Sequence, residues 1–341
     1  MVTAGASSSR TAVTVSVALC TYNGAAYLAE QLQSILEQTR PVTEVVVSDD
    51  GSVDATLDIV SEFATIASRL SIPVRFTILR NARPLGVTAN FEQAMRGCGG
   101  ELILLSDQDD MWYPERVERM IDALEERRLD VLFCDADLID AEGKSLGITL
   151  FEALEVAERE RSAVQSGLPF PAFLRRNIAT GATMLVRRSV LVRALPFPQS
   201  WVHDEWLATV AAATARIGML DTVLMGYRQH GGNQIGVTKP TLRYKVRRTL
   251  EPRGDRIDGL VARTEALVER LEHLDPAPEV LELAREKVAV EAARAQLPAS
   301  RWRRIRPVLA AGLRGEYDLT SRGRLDMLRD VLQSHRAADP R

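Results

Sequence analysis

The strongest constraint in this 341-residue chain is a recurring couplet, a short apolar run closed by a polar turn and followed by a segment of helical period. Residues 13–20 are apolar, β-branched and short enough to form a strand buried on both faces. Thr21-Tyr-Asn-Gly24 closes that run. In residues 25–38, Leu28, Leu32, Ile35 and Leu36 recur at i, i+4, i+7 and i+8, one face of a helix. The couplet returns with a strand at 44–48, the turn Asp49-Asp-Gly-Ser52 and a helix at 54–68, and then with a strand at 74–79 and a helix at 88–96. A fourth strand, 101–106, ends in Asp107-Gln-Asp-Asp110, with Pro114 opening the next helix and 130–139 supplying a fifth strand. Parallel neighbours need a crossover of about a dozen residues or more, so the alternation predicts an α/β fold, a mostly parallel sheet flanked by helices. Ligands in such sheets sit at the carboxyl ends of the strands, and the polar clusters after Leu19, Ser48 and Ser106 share that edge.

The rest of the chain is read more coarsely. Residues 140–175 are irregular, a loop over the rim or an insertion. A strand at 179–186, a helix at 203–216 and a strand at 219–227 follow, the last ending in Arg228-Gln-His-Gly-Gly-Asn233. Beyond Lys239 the pattern turns wholly helical. Ile257, Leu260, Leu267, Leu271 and Leu274 approximate a heptad seam that Pro276 and Pro278 break, which predicts a helical appendage rather than a coiled coil. The expected division is a frayed terminus over 1–12, an α/β domain over 13–238 and a C-terminal helical region over 239–341.

Composition and charge narrow the class. With 46% hydrophobic and 26% charged residues the chain is globular rather than disordered. Residues 1–239 carry 22 Lys and Arg against 30 Asp and Glu, a net −8, while 240–341 carry 21 against 16, a net +5. That excess is too mild to predict nucleic acid as a partner. No run of about 18 apolar residues predicts a membrane span, and the first residues lack a signal-peptide pattern. Cys20, Cys98 and Cys134 form no CxxC pair and leave an odd thiol, which fits a reducing, cytoplasmic setting.

Several clusters can carry chemistry. Asp107, Asp109 and Asp110 repel one another unless a cation or solvent intervenes, and Mg²⁺ or Mn²⁺ prefers such carboxylate oxygens. The plainer alternative is a solvated acidic turn. One carboxylate of Asp49-Asp50-Gly51-Ser52 can accept from a nucleobase imide while Ser52 caps the next helix, although the tetrad is also ordinary turn composition. Asp204, in His203-Asp204-Glu205-Trp206, is a general base or a helix cap. His230 follows Arg228, pairing a metal-ligand type with a guanidinium able to grip phosphate, or is a plain surface histidine. No GxGxxG follows the first strand, and Gly143-Lys144-Ser145 fails as a P-loop because the earlier glycine would fall at Leu138. No HExxH or GxSxG occurs.

Cys20-Thr-Tyr-Asn-Gly24, Ser48-Asp-Asp-Gly-Ser52, Leu105-Ser-Asp-Gln-Asp-Asp-Met-Trp112, His203-Asp-Glu-Trp206 and Tyr227-Arg-Gln-His230 together resemble family 2 glycosyltransferases. Leu85-Gly86 through Asn90-Phe91 and the YRQHxxN ending resemble bacterial rhamnosyltransferase-like members in particular. The resemblance implies a GT-A (Rossmann-like) fold. It implies a donor site at Cys20, Tyr22, Asn23, Asp50, Asp107 and Arg228, with Mn²⁺ or Mg²⁺ held by Asp107, Asp109 and His230 and the loop supported by Asp110. Asp204 matches the catalytic base of inverting members, and Thr180, Gly181, Glu205 and Trp206 border the acceptor and the transferred sugar. The implied reaction is metal-dependent, inverting transfer of a sugar, rhamnose from dTDP-rhamnose by subfamily resemblance, to a hydroxyl of a glycan or lipid-linked acceptor in bacterial polysaccharide or cell-surface glycan synthesis. A sugar-nucleotide nucleotidyltransferase would instead show a Gly-rich basic loop after the first strand, and a noncatalytic sugar-binding module would not need Asp204 across from the donor. In the tail, Arg301-Trp-Arg-Arg-Ile-Arg306 before Val308-Leu-Ala-Ala311 suits an anionic membrane surface, peripherally on the cytoplasmic face, or a helix packing on the catalytic domain or a second subunit.

Overall fold

A computed structural model describes residues 13–231 and 256–333. The expected frayed terminus at 1–12 and the domain boundary at 238–239 lie outside the described residues. Four strands, β1 (Val15–Thr21), β2 (Glu44–Asp49), β3 (Arg75–Arg80) and β4 (Leu102–Ser106), run parallel in the order β3-β2-β1-β4. Every residue of β1, β2 and β4 is buried, as unbroken apolar runs require of strands covered on both faces. The crossovers are α1 (Leu28–Leu36), α2 (Thr56–Arg69) and α3 (Val87–Gly97). Leu28, Leu32 and Ile35 of α1 are fully buried against the sheet, each worth about 1.5–3 kcal/mol of burial.

Beyond β4 come β5 (Met111–Trp112), α4 (Arg116–Glu126) and β6 (Val131–Ile139). The sheet continues through β8 (Met184–Arg187), antiparallel to both β4 and β6, to β9 (Ile217–Arg228), parallel to β6, with β5 at the edge. The sheet is therefore mostly parallel, with antiparallel insertions. Two expectations change. Residues 140–175 are ordered, as a β6 hairpin with β7 (Ser145–Thr149) and three short helices, α5 (Leu150–Ala153), α6 (Glu158–Gln165) and α7 (Phe170–Arg175). The strand expected at 179–186 begins only at Met184, because Gly181–Thr183 winds into a 3₁₀ turn. Next come α8 (Arg188–Ala194) and α9 (His203–Thr214), the latter buried from Trp206 through Ala213.

The tail is less of an appendage than its sequence suggests. Helices α10 (Arg256–Leu274) and α11 (Pro278–Ala295) place Leu267, Leu271 and Ala284 in the same hydrophobic core as Phe91, Phe173 and Trp206. The chain turns between them at Asp275, in the left-handed region at φ 48°. Then α12 (Arg301–Leu313), α13 (Glu316–Thr320) and α14 (Arg324–Leu332) surround a small core of Leu297, Val308 and Tyr317. Arg175 Nε of α7 donates to Ser321 O at 3.0 Å, tying this bundle to the sheet-bearing half.

Candidate active site

The chain runs outward from β1 to β3 and then returns to pair β4 on the other side of β1, so the crevice of an open α/β sheet falls at the ends of β1 and β4. A cavity of about 250 Å³ lies there. Its walls are Cys20, Thr21 and Tyr22, Asp50, Val87, Asn90 and Phe91 of α3, Asp107, Gln108 and Asp109, Thr180 and Gly181, His203 and Asp204 of α9, and Tyr227 of β9. Residues separated by up to 207 positions thus share one space.

The loops are fixed to one another. Asp50 Oδ1 accepts from Leu85 N at 2.6 Å and Asn81 Nδ2 at 3.1 Å, while Oδ2 accepts from Gly86 N at 3.0 Å, which anchors the start of α3 to the end of β2. Tyr22 N donates to Gln108 Oε1 at 2.8 Å and Gln108 Nε2 donates to Tyr22 O at 3.1 Å, coupling the first turn to the acidic one. A Cβ at Gly24 would collide with Gln108 Oε1, so a side chain there would displace Gln108 from its contacts with Tyr22. Gln108 is a residue sequence reasoning missed, and its middle position in DQD was the available signal.

Asp204 sits in the first turn of α9 and is not its side-chain cap. Its Oδ2 accepts from Gly181 N at 2.9 Å and its Oδ1 from Glu205 N at 2.6 Å. Burial pushes its carboxyl up to about 6, with those backbone donors opposing a larger rise. Gly181 permits the approach, since a Cβ there would fall 2.7 Å from His203 Nε2 and 3.2 Å from Asp204 Cβ. His203 stacks on Phe91 with centroids 3.8 Å apart, and burial lowers it to about 3, so its imidazole is neutral.

Four expected site residues face elsewhere. Asn23 Oδ1 accepts from Val53 N at 2.9 Å and its own N donates to Ser52 Oγ at 2.8 Å, so it clasps the β2 turn outside the cavity. Ser52 is spent there too, donating to Asp49 Oδ2 at 2.5 Å rather than capping α2. Trp206 is fully buried and donates Nε1 to Ala194 O at 2.7 Å, a core residue that no acceptor reaches. Glu205 turns away to pair with Arg263 of α10, whose carbonyl also accepts from Trp201 Nε1 at 2.9 Å. The tail thereby grips the entry to the helix that carries Asp204. Arg228, 1% exposed, donates Nε to Asp109 O at 2.7 Å and Nη1 to Ala141 O at 2.8 Å and pairs with Glu30, so it buttresses the acidic loop from behind. Its backbone N donates to Asp110 Oδ1 at 3.0 Å, which fixes Asp110 under the same loop.

The rim carries excess negative charge. Burial, then Asp109 and Asp204, push the Asp107 carboxyl up to about 8, and burial with Asp109 and Asp107 raises Asp110 as well. His230 Nε2 lies 2.8 Å from Asp109 Oδ2. Among the described residues no three His, Cys, Asp or Glu side chains form a complete metal cage. Carboxylate oxygen and imidazole are nonetheless the donor types Mn²⁺ accepts, and such ions commonly take their remaining ligands from water and substrate phosphate, so the donor set fits a divalent cation.

Comparison with known proteins gives the family. Residues 16–193 match the profile of glycosyl transferase family 2, more than half of the chain, and the chain belongs to that family. It is 27% identical over 231 residues to the dTDP-rhamnosyl transferase RfbG of Shigella flexneri, covering 64% of this chain and 73% of RfbG. It is 26% identical over 225 residues to an uncharacterized glycosyltransferase of Nostoc sp., covering 64% of this chain and 66% of that one. Among solved structures, S. aureus TarS 1-349 with UDP-GlcNAc superposes with a TM-score of 0.56 at 18% identity over 94% of this chain and 90% of that one. The mannosyltransferase PcManGT of Pyrobaculum calidifontis, with GDP-Man and Mn²⁺, gives 0.52 at 19% over 94% and 86%. The fold is that of the GT-A transferases, with C-terminal helices, and the chain is a glycosyltransferase.

Proposed function

We propose that the chain transfers a sugar from a nucleotide-diphosphate donor to a hydroxyl of a glycan or lipid-linked saccharide, with inversion at the anomeric carbon, in bacterial polysaccharide synthesis. The observation that carries this reading is that Asp204, poised near pH 6 by burial, lines one cavity with Asp107 and Asp109. Cys20, Tyr22 and Asp50 border the nucleoside end, and Thr180 and Gly181 the sugar and acceptor. Asp109 and His230, with Asp107, would hold Mn²⁺ or Mg²⁺, which when bound neutralises charge developing on the departing diphosphate. Asp204 accepts the proton of the acceptor hydroxyl as its oxygen attacks the anomeric carbon. The carbon–oxygen bond to the diphosphate breaks on the opposite face and its electron pair leaves with the nucleotide.

Rhamnose from dTDP-rhamnose is the proposed donor, supported by the likeness to RfbG. Calorimetry and transfer assays with dTDP-rhamnose, UDP-GlcNAc and GDP-mannose, each with Mn²⁺, Mg²⁺ or chelator, test this. Metal-dependent binding strongest for dTDP-rhamnose is expected, and it should be lost in Asp109→Ala. Binding of none of the three, with or without metal, would overturn the reading.

A further inference from the structure

Helix α12 is anchored through a buried arginine and turns an apolar face to solvent. Arg304 points inward, with Nε to Pro298 O at 2.5 Å and Nη1 to Gln333 O at 2.7 Å, and Val308 packs beside Tyr317. Trp302, Arg306, Leu309 and Leu313 follow one another at i, i+4, i+7 and i+11, on the side opposite Arg304 and Val308. Trp302 is 82% exposed, Leu309 53% and Leu313 91%. An ordinary surface helix hides such residues, so this face is built to be covered.

We propose that α12 lies flat on an anionic lipid surface, with Trp302, Leu309 and Leu313 entering the headgroup boundary. Charge selects this occupant. From Arg301 to Gly315 the chain carries five arginines and no acidic residue, and Arg301, Arg303 and Arg306 are exposed beside the apolar ridge. A bilayer offers anionic headgroups over an apolar interior in that order, with indole favoured at the boundary and arginine stems able to reach back to the headgroups. No helix among the described residues is long and apolar enough to cross a membrane, so the contact is peripheral. The proposal is independent of the transfer reaction and goes beyond it, placing the protein where a lipid-linked acceptor would be.

Tryptophan emission of the full chain provides the test. Trp112, Trp201 and Trp206 are 3%, 6% and 0% exposed, so Trp302 is the indole whose surroundings can change. Vesicles of phosphatidylcholine with about a third phosphatidylglycerol should shift the emission to the blue, brominated lipid chains should quench it, and added salt should weaken binding. Vesicles of phosphatidylcholine alone should do little. Trp302→Ser with Leu309→Ser and Leu313→Ser, followed by cosedimentation, and separately Arg303→Glu with Arg306→Glu, should each weaken binding about 10-fold or more while leaving the melting temperature and donor binding unchanged. The proposal is overturned if neither vesicle binds, if both bind equally, if the variants bind like the parent, or if sedimentation shows a dimer that the triple variant abolishes, which would make this face an interface between copies. Donor binding is measured separately, so failure here leaves the transfer reading intact.

Discussion

At the rim of the sheet Asp110 is buried and Asp107 and Asp204 are half-buried with little opposing charge, whereas in the tail Glu291, Arg294, Asp326 and Asp330 are all buried and answer one another. Arg294 Nε pairs with Asp330 Oδ2 at 2.6 Å and its Nη1 with Glu291 Oε2 at 2.9 Å, while Tyr317 OH donates to Asp330 Oδ2 at 2.7 Å. Burial alone would lower Arg294 and raise Asp326. Glu291 and Asp330 instead hold Arg294 above its usual range, and Arg294 with its neighbours holds Asp326 below the usual carboxylate range. In the catalytic half the carboxyls stay raised because burial and neighbouring carboxylates outweigh the few backbone donors to Asp204 and Asp110 and the Arg116 charge near Asp110. Paired buried charge specifies how helices dock; unpaired buried charge marks where a ligand supplies the missing partner.

The contrast can be broken most forcefully at Asp204. Asp204→Asn is expected to lower turnover about 10²–10⁴-fold while donor affinity survives, and unchanged turnover would remove it as the base. A base with its carboxyl near 6 must be ionised to act, so the parent rate should fall about tenfold per pH unit below about 6. Stability moves the other way. A raised carboxyl costs the fold when ionised, and that cost disappears as pH falls through about 6 towards 4. Asp326, held low, stabilises above about 4 and loses that contribution in stronger acid. Hydrogen exchange followed by region should therefore show the rim tightening as mild acid is added and the tail loosening only later.

Arg294→Met probes the paired side. It removes the arginine that Glu291 and Asp330 share, leaving Glu291 with Lys287, and should cost about 3–5 kcal/mol in urea unfolding, and a loss under about 1 kcal/mol would mean the tail network is dispensable. Asp107→Asn probes the unpaired side and should have the opposite sign. Removing a desolvated charge without changing shape is expected to stabilise the metal-free protein by about 0.5–2 kcal/mol while weakening donor binding. Destabilisation of similar size would show that an ionised Asp107 already has a partner within the chain.

Legibility differed between backbone and side chain. The parallel strands and the face of α1 were readable because burial on both sides leaves an unbroken apolar run and burial on one leaves a 3.6-residue stripe. The resemblance places Trp206 at the acceptor, and α9, buried nearly all round, has no stripe in its sequence to say which side meets the cavity. Residue type and family resemblance both point Arg228 at phosphate, whereas its carbonyl partners at Asp109 and Ala141 lie 119 and 87 positions away. Likewise nothing near Glu205 in the chain announces Arg263, 58 positions on.

Unaided, the sequence determined the alternation of strand and helix and the shared edge on which its acidic turns lie, because period and turn chemistry act over a few neighbours. Only the tertiary structure decided which polar groups open into the cavity, which are spent holding loops together, and which carboxyls lose their water. Those outcomes depend on desolvation and hydrogen bonds between residues far apart in the chain, and no local pattern encodes them.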